Sequence, residues 1–415
     1  MSTLRYVAPA GAPVAGADLA RWAGLSVSRR DASAVLRDAI AARFGVTHTF
    51  LTSTGRAGLT ILLKALRTLS PAHKDEVVLP SYTCYSVAAS VVKAGLRPRL
   101  VDIDPATLDY APEQLERTDF TRALAMIATN LYGLPSDMPF LSALARRQGL
   151  WLIDDAAQAM GASIDGRPSG TWGDAGLFSL DKGKNVSAID GGIVVTSSDD
   201  VASAMRKEMR NLPSPGIRES AAGVLKAIVY SVMLRPSLYW IPNRVPQLGL
   251  GKTVFTTDFP LERPSRALAS LGAVMVPHLD EFTDARTRHA AELLDGLSGV
   301  AGVRSVAPRA RAVPVYLRLP ILIPDGLARR NILAALREAG IGATGSYPAS
   351  LADVPELADH LVRPNAAAGG RYVADHIVTL PTHAFVTAGD IAKTVGVIAA
   401  GVRDTAVAPA CAVSV

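Results

Sequence analysis

The sequence predicts an α/β large domain, with a mostly parallel sheet flanked by helices, and a smaller C-terminal α+β domain. Three observations carry this. From residue 31 to residue 212, short apolar segments alternate with amphipathic helical patterns, the rhythm of βαβ units. Past residue 213 that rhythm breaks into a stretch of prolines, aromatics and aliphatics without clean alternation. From residue 265 a long helical pattern leads to a second, shorter set of strand and helix signals. The expected organisation is an N-terminal arm at 1–30, a large domain at 31–264 with an atypical apolar excursion at 213–255, a linking helix and small domain at 265–402, and a tail at 403–415.

The elements follow in order. "DASAVLRDAIAARFG" opens the alternation, and "RAGLTILLKALRTLS" reads as an amphipathic helix because Leu59, Leu62, Leu63, Leu66 and Leu69 recur at helical spacing. "EVVLP", "RPRLVDID", "ALAMIATN", "LWLIDDAA", "AGLFSL" and "GGIVVTS" read as strands. "SDMPFLSALARRQG" is a crossover helix, capped by Ser136 or Asp137 and stopped at Gly149. In the second unit the long helix is expected to kink at Pro277, "VPVYLRLPILI" alternates like a strand, and "DGLARRNILAALREAG" follows as a helix. "HIVTLP" is a further strand, and Ile391, Val395, Ile398 and Val402 share one face of a last helix.

Composition narrows the function classes. The 415 residues, 49% of them hydrophobic, suffice for a sizeable core in two or three units. A formal charge of +6 and a pI near 9.4 suit an anionic small substrate or a weak attraction to anionic lipid. No basic run interleaved with aromatics points to nucleic acid. Cys84 and Cys411, far apart, speak for a reducing, cytoplasmic setting over a disulfide framework. The N-terminus shows no basic start followed by an apolar h-region, so no secretory signal is expected. "AIVYSVML" is too short to span a bilayer. The 213–255 excursion reads either as helices packed on the body or a partner subunit, or as a membrane-surface element with Tyr239 and Trp240 at the interface and Lys226, Arg235 and Arg244 toward headgroups.

Several motifs match in letters and fail in context. "GIGATG", with Gly340, Gly342 and Gly345, has the spacing of a dinucleotide loop but follows a helix pattern instead of a strand, so it reads as a helix stop and turn. "SLDK" would make Ser179 a nucleophile with Lys182, as in penicillin-binding enzymes. It ends a strand where that motif opens a helix, and neither companion motif appears. The seven histidines lack metal-ligand spacing, so no metal is expected.

One constellation holds. An enzyme built on pyridoxal phosphate needs a lysine for a Schiff base, a carboxylate for the pyridine nitrogen, and amides with a hydroxyl for the phosphate. "TSTGRAGL" sets Thr54, Gly55 and Arg56 at the start of a helix, where free amides and the positive helix end suit a phosphate dianion; a plain helix cap is the alternative. "LWLIDDAAQA" brings two acids to a strand end, and a buried carboxylate requires a cation or donors. "GLFSLDKGKN" brings Ser179, Lys182 and Lys184 to another. Singly these are caps and a solvated turn; three such strand ends in sheet order are not.

With these blocks in view, the chain resembles the DegT/DnrJ/StrS sugar aminotransferases, which are fold-type I pyridoxal phosphate enzymes. The resemblance runs from about residue 30 to about 402 and rests on "VVLPSYTCYSVAASVVKAGLRPRLVDIDPATLDYAPEQLE", "NLYGLPSDMPFLSALARRQGLWLIDDAAQAMGA", "GDAGLFSL", "SYPASL" and "ADHIVTLPTH" in family order. It implies that Lys184, five residues after the phosphate-binding Ser179, is the Schiff-base lysine, that Asp155 and not Asp154 faces the pyridine nitrogen, that Gln158 lies near the ring hydroxyl, and that Gly55 and Arg56 belong to the phosphate loop. Departures accompany it. Cys84 stands where relatives often stack an aromatic on the cofactor, with Tyr82 and Tyr85 beside it, so stacking is expected on Tyr85 or weakened. The family's "GEGG" reads "IDGG", which keeps an acid at Asp190, and its Asn-Tyr-Arg-Met block is not visible near "TTDFPLERPS".

The resemblance further implies a cytoplasmic homodimer moving an amino group, from glutamate or glutamine, to a nucleotide-linked keto sugar for cell-envelope polysaccharide or a secondary metabolite. Lys184 would hold the cofactor and then carry the donor's α-proton. Two rivals stand beside it: a pyridoxal phosphate-dependent sugar dehydratase, whose relatives have histidine at the lysine position, and a divergent non-catalytic or regulatory member.

Overall fold

The computed structural model describes residues 5–244, 253–363 and 367–407. Its centre is a seven-stranded sheet built from β1 (His48–Thr52), β2 (Glu76–Pro80), β3 (Arg97–Val101), β4 (Ala123–Thr129), β5 (Trp151–Asp155), β6 (Ala175–Ser179) and β7 (Gly192–Thr196), in the spatial order β1-β7-β6-β5-β4-β2-β3. β7 runs antiparallel to both of its neighbours, and the other pairs are parallel. The mostly parallel sheet of the sequence reading is therefore present, and β2, β4, β6 and β7 are buried along their whole length, as strands covered on both faces must be. β1 was not legible: "HTFLT" is a short edge strand between a helix stop and a helix cap.

The helices beside the sheet form for local reasons. In α3 (Gly55–Thr68) the Thr54 hydroxyl accepts the Ala57 amide at 3.1 Å, and Leu59, Leu62, Leu63 and Leu66 are all buried against the sheet. Each such leucine contributes roughly 1.5–3 kcal/mol of burial. Leu69, expected on the same face, instead ends the helix and is 39% exposed. In α5 (Met138–Gln148) Asp137, not Ser136, is the cap, accepting the Phe140 amide at 3.2 Å, and Gly149 closes the helix at φ +62°.

A second sheet of β8 (Arg304–Ser305), β9 (Leu319–Leu322) and β10 (Ile377–Leu380) packs with α11 (Gly326–Glu338) and α13 (Ala388–Val407). The linking helix is broken as expected: α9 (Arg266–Met275) and α10 (Leu279–Leu297) flank a tight turn holding Pro277. Within "VPVYLRLPILI" only Leu319–Leu322 and the first residue, Val313, are strand; Val313 closes the short strand Ala312–Val313, which pairs elsewhere. Between them Tyr316 takes φ +42°, and the Tyr316 and Leu317 carbonyls accept from the Thr382 hydroxyl instead of a ladder partner. The residues 5–14 are no loose arm: Val7 and Ala8 are fully buried, and the Ala8 carbonyl bonds the His383 ring at 2.8 Å.

The excursion is helical over α7 (Ile217–Met233) and α8 (Pro236–Asn243); residues 245–252 lie outside the described ones. Ala227, Ser231 and Leu234 face the body, the Tyr230 hydroxyl accepts the Ala12 amide, and Tyr239 stacks on Tyr6. The opposite face of α7 carries Leu225, Ile228, Val229 and Val232, between 38% and 62% exposed. Among the described residues no helix is long and apolar enough to cross a membrane.

Candidate active site

In an open α/β sheet the carboxyl ends of the strands form the binding edge. The register puts Thr129 beside Asp155, Asp155 beside Leu177, and Ser179 beside Gly192 along that edge. A cavity of about 330 Å³ opens there, lined by Thr54, Gly55, Arg56, Cys84, Asp155, Gln158, Ser179 and Lys184 among others. The separate sequence candidates therefore meet in one place.

The two acids of β5 divide by the alternation of strand side chains. Asp154 is enclosed: Asn130 donates to one oxygen at 2.8 Å, and the Gly170 and Trp172 amides donate to the other at 2.6 and 3.1 Å. Among the described residues Asp155 accepts only the Ala157 amide, at 3.0 Å, and it turns to the cavity. Burial pushes its carboxyl up to about 6, against the pull of the Ala157 amide and the Lys184 cation. An ionised carboxylate held so, with one donor, calls for a cation. Asp190, on the same cavity, is also pushed up to about 6 by burial and then by Asp181.

The two lysines divide as clearly. Lys182 is exposed and lines no part of the cavity, whereas Lys184 is half-buried and lines it. The Lys184 loop is held from behind by Arg286, which is 1% exposed. Its guanidinium donates to the carbonyls of Asn185 at 3.0 Å, Gly11 at 3.0 Å and Lys184 at 3.3 Å. Burial lowers it to about 10, so it stays a cation at neutral pH.

At the other end, the N-terminus of α3 faces Ser179. A side chain at Gly55 would come within 3.4 Å of the Ser179 hydroxyl, so glycine keeps that cradle open. Arg56 lies 4.8 Å over the Phe259 ring, which brings the segment from Thr253 across this end of the cavity. Gln158 accepts the Tyr132 amide at 3.0 Å and donates to the Tyr347 hydroxyl at 2.8 Å. Tyr82 and Tyr85 are not among the lining residues: their hydroxyls bond the backbone of Tyr347 and Ala349. Of that trio only Cys84 faces the cavity, held by the Ser86 hydroxyl at 3.0 Å.

A second cavity of about 170 Å³ shares Gln158, Lys184 and Thr253 with the first and adds Tyr132, Arg318, Thr344 and Ser346. Sequence reasoning passed over these. A lone arginine in "VPVYLRLPILI" was the available signal, since a cation inside an apolar run needs a reason to be there.

A phosphate cradle, a half-buried lysine and a buried carboxylate in need of a cation, gathered on one cavity, fit pyridoxal phosphate in their chemistry. Together with the sheet, this defines the fold-type I class of pyridoxal phosphate enzymes. More narrowly, the chain belongs to the DegT/DnrJ/EryC1/StrS aminotransferase family, whose model matches residues 31–399. A "Pleiotropic regulatory protein" of Geobacillus stearothermophilus is 31% identical over 290 residues, 69% of this chain and 68% of that protein. A UDP-N-acetyl-3-dehydro-alpha-D-glucosamine 3-aminotransferase of Acidithiobacillus ferrooxidans is 40% identical over 151 residues, 36% of this chain and 41% of that enzyme's length. The solved structure of Helicobacter pylori PseC, an aminotransferase involved in the biosynthesis of pseudoaminic acid, shares the fold with a TM-score of 0.79 at 15% identity, covering 96% of this chain and all of that one.

Proposed function

We propose that the chain is a pyridoxal phosphate-dependent aminotransferase that moves an amino group from glutamate or glutamine to a nucleotide-linked keto sugar. The convergence of Lys184, Asp155, Gln158, Ser179 and the Thr54–Arg56 loop on one cavity is the observation that carries this. In this reading the α3 N-terminus, Ser179 and Arg56 hold the phosphate, Asp155 neutralises the ring nitrogen's charge, and Gln158 lies by the ring hydroxyl. Bound there, the cofactor supplies an electron sink for the carbon that gains or loses the amine. Lys184 anchors it and carries the proton between donor carbon and cofactor, and Arg286 fixes the backbone from which Lys184 reaches.

The sugar assignment draws on the name of the Acidithiobacillus relative. A homodimer, a cytoplasmic location, a division into large and small domains near residue 265, and a role in envelope polysaccharide or secondary metabolism complete the reading. The name of the Geobacillus relative favours a regulatory alternative. One spectrum separates them: purified protein mixed with pyridoxal phosphate should gain a visible band that glutamate shifts to the pyridoxamine form. Absence of any band would leave the regulatory alternative standing.

We also propose that the outward face of α7 rests on an anionic lipid surface. Four cations, Arg218, Lys226, Arg235 and Arg244, accompany the apolar stripe against one acid, Glu219, between residues 213 and 244.

A further inference from the structure

The smaller cavity shares Lys184 and Gln158 with its neighbour but is lined by none of the phosphate-cradle residues, and its chemistry differs. It holds the guanidinium of Arg318, which among the described residues has no carboxylate within ion-pair reach and only the Thr344 hydroxyl at 3.2 Å as a hydrogen-bond partner. Two hydroxyls stand with it: Tyr132 donates to Ser346 at 2.6 Å. Both residues are held in the left-handed region, Tyr132 at φ 56° and Ser346 at φ 58°, a conformation that side-chain-bearing residues avoid unless the surroundings impose it. The Gln158 carbonyl takes the Tyr132 amide, and the Thr344 hydroxyl takes the Ser346 amide at 3.2 Å, so both strained residues are fixed by neighbours that line the same space.

Nothing in the proposed cofactor site uses this guanidinium. Its planar fork matches a carboxylate or phosphate in two parallel hydrogen bonds. Size chooses between them: about 170 Å³ lies below the 300–1,000 Å³ or so of pockets for larger ligands, enough for a small amino acid and too little for a nucleoside diphosphate sugar.

We infer that Arg318, with the Tyr132 and Ser346 hydroxyls beside it, binds the carboxylate of the amino donor and so turns the donor's amine toward Lys184. This rests on the aminotransferase reading above and adds the donor's subsite to it. The sugar nucleotide then enters from elsewhere, across the Thr253 segment that borders both cavities.

The test uses full-length protein loaded with pyridoxal phosphate and compares it with Arg318→Gln and Arg318→Lys. Two readouts serve: the glutamate concentration that half-saturates the spectral change, and calorimetric affinity for glutarate and for UDP, neither of which can react. Arg318→Gln should raise the half-saturating glutamate and weaken glutarate by about tenfold or more, the worth of a charge-assisted pair, with Arg318→Lys between. UDP affinity and the cofactor's own band should not move. If Arg318→Gln weakens UDP and spares glutarate, the subsite is a phosphate site and the inference fails; it fails equally if neither ligand is affected. Should glutamate leave the wild-type spectrum unchanged, the transfer reading falls, and the subsite is judged on glutarate alone.

Discussion

Asp154 and Asp155 are adjacent in sequence and opposite in circumstance: three donors enclose the first, while the second meets one amide and a cavity. Sequence alone left the choice between them to family resemblance; alternation along β5 supplies a physical reason. Asp155→Asn should therefore fold, take up pyridoxal phosphate and lose most turnover. Asp154→Asn should instead lower stability by about 1–3 kcal/mol, because an amide has one acceptor oxygen where the carboxylate uses two: with that oxygen on the Gly170 and Trp172 backbone donors, its NH2 would face the Asn130 amide donor, which is left buried and unpaired. Thermal melts and single-turnover rates on both variants check this; near-normal turnover in Asp155→Asn would remove its assigned role.

The raised Asp155 carboxyl has a pH consequence of fixed sign. Its folded value of about 6 lies above the ordinary 3.8, so the cofactor-free protein loses stability as pH rises from 3.8 through 6, where the unfolded chain ionises first. A ring cation wants the ionised form. Cofactor affinity should therefore hold steady well above pH 6 and weaken below it, approaching about tenfold per pH unit. Asp190 titrates near the same value in the same cavity, and the cofactor phosphate also changes charge nearby. Equilibrium binding from pH 5 to 8 is accordingly measured on the wild type, Asp155→Asn and Asp190→Asn. A slope that survives unchanged in Asp155→Asn belongs to another group.

Lys184→Ala should abolish the visible band of lysine-bound cofactor, and Lys182→Ala should keep it, since Lys182 points to solvent. The reverse pattern in the two spectra would overturn the assignment of the reagent.

Much of the fold was legible because its signals are local. Six of seven central strands were apolar runs between turn signals, and Thr54, Asp137 and Gly149 are helix-end chemistry that a single sequence displays. What failed to show depends on tertiary contact. The β1 edge strand has no clean period, and Tyr316 leaves the ladder because Thr382 captures its carbonyl. In the site, Asp155 and Ser179 end strands and Lys184 follows in the loop after Ser179, so all three could be read. Arg286 gave no such signal and Arg318 only that of a lone cation in an apolar run, because each acts through partners more than 20 residues away, at Gly11 and Thr344.

Arg286 extends that point to stability. Its guanidinium joins three carbonyls that belong to the N-terminal segment and the Lys184 loop, and Arg286→Met would leave them buried without a donor. A loss of about 3 kcal/mol or more is expected, read as a lowered denaturation midpoint. Weaker uptake of pyridoxal phosphate should accompany it, with partial recovery in Arg286→Lys. A variant of normal stability would show that the loop holds itself.

The outward face of α7 sets lipid against protein as its cover. Vesicles containing anionic phospholipid should co-sediment the wild-type protein at low salt, and Leu225→Asp with Val229→Asp should release it. Salt near the physiological range should weaken the contact, because exposed cations such as Arg235 and Arg244 are screened over roughly 8 Å at that ionic strength. Light scattering on the same double variant reads the oligomeric state. Retained assembly with lost vesicle binding supports the lipid surface. Lost assembly, with vesicle binding absent in the wild type as well, would make this face a contact between subunits, and the apolar stripe would then be buried by a second copy of the chain.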